Sequence, residues 1–261
     1  MQKNKNDGIY FFWSASILVC MLLSIFVLGF VSCQNGGKAS GASAGASANS
    51  AVSSSKKSDT VLGETADMGQ EYADKFIFLG DSTTYGMGFY QIVSMNQVWT
   101  PASKTLTLSR WKESTIDYPD DNSELSIPDA VTKKQPEYML ITLGVNGVSF
   151  MDEEYFVTEY TDLVNAVKAA SPNTKIILNS IYPVSVNYPA SNGITNEKID
   201  AANKWILGIA KSTNVKYLDS ESVLKDSTGN LVETYHNGDF IHLTADSFKL
   251  VINYLRTHGY Q

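Results

Sequence analysis

Apolar positions fall into three regimes along the chain. Between Ile9 and Lys38 there is no charge at all, and the apolar stretch from Ile9 to Val31 has the length to span a bilayer, which takes ~20 helical residues. From Gly36 to Ser58 the chain is mostly Gly, Ala and Ser with a few lysines. Such a segment buries too little apolar surface to offset its ordering entropy and reads as a tether. Beyond residue 70 short apolar runs alternate with helical periodicities. Phe76–Leu79 is closed by Gly80, Tyr138–Leu143 by Gly144, and Val215–Leu218 by Asp219, while Lys175–Ile181 is a fourth run. These read as buried parallel strands.

Three helices are predicted between and after them. Residues 153–170 carry Phe156, Tyr160, Leu163, Val164 and Val167 at spacings of three and four, and stop before Pro172. Residues 196–212 carry Ile199, Ala202, Trp205, Ile206 and Ile209. Residues 244–258 carry Phe248, Val251, Ile252 and Leu255, with Gly259 as the stop. Strands separated by helices predict an α/β fold with a parallel sheet covered on both faces. Ligands in such sheets sit beyond the carboxyl ends of the strands. Ser82, Asn146 and Asp219 all follow strand ends, so one shared rim is expected. Within residues 87–135, Ser103–Leu108 reads as a strand or half of a hairpin, and Tyr118–Asn122 as a turn.

Length divides the chain into 1–33 as a targeting segment, 34–70 as a linker and 71–261 as one folded domain; the last is about 190 residues, enough for a single good core. The formal net charge of −7 argues against a nucleic-acid partner, because phosphate binding needs a basic face. Both cysteines, Cys20 and Cys33, lie in the N-terminal segment, so the domain holds neither a disulfide nor a thiol nucleophile. Phe30-Val31-Ser32-Cys33 resembles the lipobox of bacterial lipoproteins, with Phe30 where an aliphatic residue is usual. Lipidation at Cys33 and an uncleaved anchor helix are both open. Either makes the membrane a partner through the N-terminus and places the body in the bacterial cell envelope, outside the cytoplasmic membrane. Three histidines without ligand-like grouping predict no metal and no cofactor.

The candidate chemistry lies at two distant sites. Gly80-Asp81-Ser82 closes the first apolar run, and Asp239-Phe240-Ile241-His242 lies near the C-terminus. A serine is a nucleophile only beside a base, and a histidine with an aspartate three residues earlier is a base with an orienting partner. The order Ser82, Asp239, His242 points to acyl transfer to water. Simpler roles compete: Ser82 as a helix cap, His242 as a packing residue, and Asn146-Gly147 as a turn pair. His236 is a rival base without that aspartate. His258 suits a helix end, and Asp219 is an alternative carboxylate partner.

These pieces, with Gly144-Val145-Asn146 between them, occur in the order of the sequence blocks of the SGNH, or GDSL-type, hydrolases, and residues 74–258 resemble that family. The resemblance implies a three-layer α/β/α sandwich with about five parallel strands, and metal-free ester hydrolysis by a serine. It implies Ser82 as nucleophile, His242 as general base and acid, Asp239 as the residue holding the imidazole, and an oxyanion hole from the Ser82 N–H and the Asn146 amide. Two departures stand out: Gly147 replaces the usual aspartate after Asn146, and no glycine between Gly88 and Gly144 supplies a further oxyanion donor. The expected function is an extracytoplasmic serine esterase removing small acyl groups, acetyl above all, from a small molecule or a polysaccharide or wall glycan. A lysophospholipase or thioesterase and a catalytically weak glycan-binding domain are the alternatives.

Overall fold

The computed structural model describes residues 60–261. The targeting segment, Cys33 and most of the proposed linker therefore lie outside the described residues. The elements begin with α1 (Gln70–Ala73), β1 (Phe76–Gly80), α2 (Ser82–Phe89) and β2 (Val98–Trp99). A hairpin of β3 (Thr115–Tyr118) and β4 (Ser123–Ser126) leads into α3 (Ile127–Lys134). Then come β5 (Tyr138–Thr142), α4 (Glu153–Ala170), β6 (Lys175–Asn179), α5 (Asn196–Ser212), β7 (Lys216–Leu218) and α6 (Ala245–Thr257). The main sheet runs β2-β1-β5-β6-β7 with all neighbours parallel.

Strand alternation builds two cores from single runs. Ile77 and Leu79 of β1 point to one face with Met139, Ile141 and Leu178, under α3, α4 and α5. Phe76 and Phe78 point to the other with Tyr138, Leu140 and Ile177, under α1, α2 and α6. That period of two, buried on both sides, is why the strands read as continuous apolar runs. The result is the expected α/β/α sandwich of five parallel strands.

Two regions differ from the sequence reading. Ser103–Leu108 is not a strand. Its Leu106 and Leu108 are fully buried, and this alternate spacing imitates a strand while a loop and the short 3-10 turn that starts at Leu108 insert them into the core. The hairpin lies later, and Tyr118–Asn122 forms its turn. Residues 60–70, at the end of the proposed linker, pack on the folded body. Leu62 N–H donates to Tyr217 O at 2.9 Å, and Tyr217 N–H to Thr60 O at 2.8 Å. Leu62 itself is buried. Three more residues thus extend the edge of β7, which composition alone could not reveal.

Candidate active site

β1 and α2 meet at Gly80-Asp81-Ser82 with no room to spare. A Cβ on Gly80 would collide with Thr84 Oγ1 and the Thr142 carbonyl oxygen. Only glycine lets α2 start this close to β5. Asp81 caps the helix: its Oδ1 accepts from Thr83 N–H at 3.0 Å and from the Thr83 hydroxyl at 2.7 Å. Its carboxyl is buried, which pushes its pKa up, against the Thr83 hydrogen bonds that pull it down. Asn146 Nδ2 stands 3.5 Å from Asp81 Oδ2, so the amide is turned toward the start of α2. Ser82 is the first helical residue, and its N–H has no acceptor within the helix.

The structure brings the three distant residues together. Ser82 Oγ lies 2.8 Å from His242 Nε2, across 160 positions of sequence. His242 Nδ1 lies 2.6 Å from Asp239 Oδ2. The other oxygen of Asp239 accepts from the N–H groups of Ile241 at 3.1 Å and His242 at 2.8 Å. Partial burial works against the Asp239 charge. The His242 ring and the two N–H donors outweigh it and bring the pKa to about 2. The bond to Asp239 raises the pKa of His242; partial burial opposes this, and the charges of Asp239 and Asp81 add to it. A carboxylate on Nδ1 fixes the neutral ring as the Nδ1–H tautomer, which leaves Nε2 to accept the serine proton.

His236, a rival base by sequence, has a different place. Its Nδ1 lies 3.0 Å from the Gly238 nitrogen and 3.4 Å from that of Phe240, accepting both N–H groups. That nitrogen therefore carries no proton, and Nε2–H faces Glu233 Oε1 at 3.3 Å. Phe240, at φ 70, packs its ring 5.0 Å from the imidazole. Glu233 in turn accepts from the Ser185 hydroxyl at 2.8 Å and the Asn187 amide at 3.2 Å. His236 thus forms the hub of the loop that presents Asp239 and His242. Sequence carried no signal for this, since both acceptor contacts depend on the loop's closed shape.

Asp219 does not join the site. It is partly buried, which raises its pKa, against the nearby positive charge of Lys225. Lys225 itself is paired with Asp200 at 2.7 Å and Glu221 at 2.6 Å. The shared rim therefore holds Ser82 and Asn146 without Asp219. His258 stacks on Tyr254 at 3.7 Å. The loop after β2 has Lys104 in a left-handed conformation at φ 61. The Lys104 N–H is taken by Pro101 O at 2.8 Å, so it is not the absent donor. Among the described residues no group of three His, Cys, Asp or Glu side chains is arranged to hold a metal.

The sequence profile of the GDSL-like Lipase/Acylhydrolase family matches residues 78–250. Among solved structures, a Streptococcus pneumonia protein assigned as a platelet activating factor aligns at a TM-score of 0.53 and 18% identity, over 70% of this chain and 82% of that one. A GDSL-like lipase from Bacteroides thetaiotaomicron aligns at 0.50 and 17% identity, over 72% and 87%. A protein of Bacteroides fragilis assigned as an acylhydrolase aligns at 0.50 and 17% identity, over 74% and 86%. At these identities the likeness is one of fold. The sequence matches no curated protein.

Proposed function

Because this chain belongs to the GDSL-like lipase/acylhydrolase family and is a carboxylic ester hydrolase, we propose that Ser82, His242 and Asp239 are its catalytic triad and that it removes small acyl groups, acetyl above all. The observation that carries this is the continuous hydrogen-bonded line from Ser82 Oγ through His242 to Asp239, at 2.8 and 2.6 Å. Ser82 Oγ attacks the acyl carbon as its proton passes to His242 Nε2. Asp239 stabilises the imidazolium that forms. The carbonyl electrons move onto the oxygen, which is stabilised by the Ser82 N–H and the Asn146 amide once that amide swings from Asp81. Donors of this kind are each worth about 3–4 kcal/mol. Collapse breaks the bond to the alcohol oxygen, which takes the proton from His242. Water then attacks the acyl-serine and gives a proton to His242; collapse breaks the bond to Ser82 Oγ, which takes that proton back, and the acid leaves.

Asp81, buried beside this line, has a part in the same reading. It tethers the Asn146 amide in the resting site and adds negative charge that favours the His242 cation. We place the enzyme in the cell envelope, held by lipid at Cys33 or by an uncleaved N-terminal helix; the uncharged stretch and the lipobox-like Cys33 support this. Metabolic labelling with a fatty acid that is lost in Cys33→Ala supports the lipid anchor, and unchanged labelling contradicts it. Purified protein should hydrolyse p-nitrophenyl acetate, and Ser82→Ala should reduce turnover by about 10⁶. Turnover that survives the substitution removes Ser82 from the mechanism.

A further inference from the structure

The sequence holds four Asn-Gly pairs, and three lie among the described residues: Asn146-Gly147, Asn192-Gly193 and Asn237-Gly238. In such a pair the glycine nitrogen can attack the preceding side-chain amide, because no side chain on the glycine stands in the way. The attack requires the glycine N–H to give up its proton, and here the three pairs differ. Gly147 N–H donates to Gly144 O at 2.8 Å, and Gly193 N–H to Ala190 O at 2.9 Å. A carbonyl oxygen holds such a proton without removing it. Gly238 N–H instead donates to His236 Nδ1 at 3.0 Å. An imidazole nitrogen without a proton is a base.

The surroundings of Asn237 complete the arrangement. Glu233 Oε1 lies 3.3 Å from His236 Nε2, where it stabilises the imidazolium that a proton on Nδ1 creates. Asn237 Oδ1 accepts the Asp239 N–H at 3.2 Å, so a donor already faces the oxygen on which charge develops during attack. Asn237 and Gly238 are both exposed, so water reaches them. Gly238 has open space where a side chain would stand, which leaves its nitrogen room to move.

We infer that Asn237-Gly238 is a site of self-catalysed deamidation, with His236 Nδ1 as the base for attack of the Gly238 nitrogen on the Asn237 amide carbon. As the Gly238 nitrogen bonds to Cγ, its proton passes to Nδ1 and the carbonyl electrons move onto Oδ1. Collapse re-forms the carbonyl and breaks the Cγ–Nδ2 bond. The proton on His236 goes to the leaving nitrogen, which departs as ammonia and leaves a succinimide ring. Water opens either carbonyl of that ring and gives aspartate or isoaspartate at position 237. Isoaspartate adds a methylene to the main chain. Asn237 N–H donates to His242 O at 2.8 Å and so closes the loop that holds Asp239 and His242. The longer main chain displaces both residues, and the enzyme inactivates itself with age. The deamidation stands on the loop geometry alone; the loss of turnover rests on the proposed triad.

The test incubates the full chain at neutral pH and follows each pair by peptide mapping that separates asparagine, aspartate and isoaspartate. Position 237 should convert about 10- to 100-fold faster than positions 146 and 192. His236→Asn keeps an acceptor for Gly238 but removes the base. It should slow conversion at 237 by the same factor and leave 146 and 192 unchanged, and His236→Phe should do likewise. Equal rates at the three pairs overturn the inference, as does conversion at 237 that is no slower in His236→Asn. Turnover of p-nitrophenyl acetate should fall in step with isoaspartate at 237. It should hold at its starting value in Asn237→Gln, whose longer side chain must close a larger and slower ring. An equal fall in Asn237→Gln overturns the self-inactivation. If fresh chain hydrolyses no ester, the serine-esterase reading fails, and the mapping still decides the chemistry at Asn237.

Discussion

The two halves of the proposed triad are built by opposite means. Ser82 begins a helix pinned by core packing. Gly80 allows a close approach that any side chain would block, and Asp81 beneath it is 1% exposed. Asp239 and His242 instead sit on a loop outside regular structure, with side chains 45% and 35% exposed. Polar contacts shape that loop: Asp239 accepts two N–H groups from the residues after it, His236 accepts two more, and Glu233 backs His236. The nucleophile's position thus depends on packing density, which is unforgiving of added volume. The base's position depends on hydrogen bonds near water, each worth little alone. Damage to the first region should appear in stability, and damage to the second in catalysis.

The largest expected effect is on the polar side. Asp239→Asn keeps the shape but reverses the hydrogen-bonding preference at His242 Nδ1, and should lower kcat by about 10⁴ with little change in thermal midpoint. A drop in stability with kcat intact would erase the distinction between the regions. On the packed side, Gly80→Ala should cost about 1–3 kcal/mol of unfolding free energy, measured by urea titration, because the new methyl meets backbone and a buried threonine. A neutral result would mean the junction is looser than its geometry implies.

His236→Phe tests whether the loop needs its acceptor. It should reduce kcat by about tenfold through the two lost acceptor bonds, while KM for a small ester stays near its original value. His236→Asn, which offers an oxygen in place of Nδ1, should recover part of the loss. The absence of any such rescue would make His236 a packing residue only. The smallest effect is on pH. Neutral His242 is the working base, and its pKa is raised from 6.5 chiefly by Asp239. The rate therefore climbs with pH through a midpoint above 6.5, as the imidazolium loses its proton. In Asp239→Asn the residual activity should show that midpoint moved down, because the bond and charge that favour the cation are gone. A midpoint that does not move would remove Asp239 as the cause.

Legibility in the sequence follows the same division. Packed elements could be read because their physics is local. The run at Phe76–Leu79 is apolar on both faces, and α4 and α5 were recoverable at their observed ends, since Pro172 and the 3.6-residue periodicity mark them. β2 was missed because two residues make no pattern. The Leu106 and Leu108 spacing suggested a strand because burial of alternate residues looks the same in a loop. Residues 60–62 were missed because their partner, Tyr217, is far away in sequence. At the site, Ser82, Asn146, Asp239 and His242 stood out through motif and order. The roles of His236 and Asp81 did not, because each depends on contacts that only the closed fold creates.

Reaction with a fluorophosphonate, followed by intact mass and peptide mapping, tests the central claim most directly: that folding makes Ser82 nucleophilic by placing His242 beside it. The account predicts one adduct, on Ser82, formed far more slowly in His242→Ala and absent in Ser82→Ala. An adduct on another serine, or equal labelling of Ser82 without His242, would contradict it.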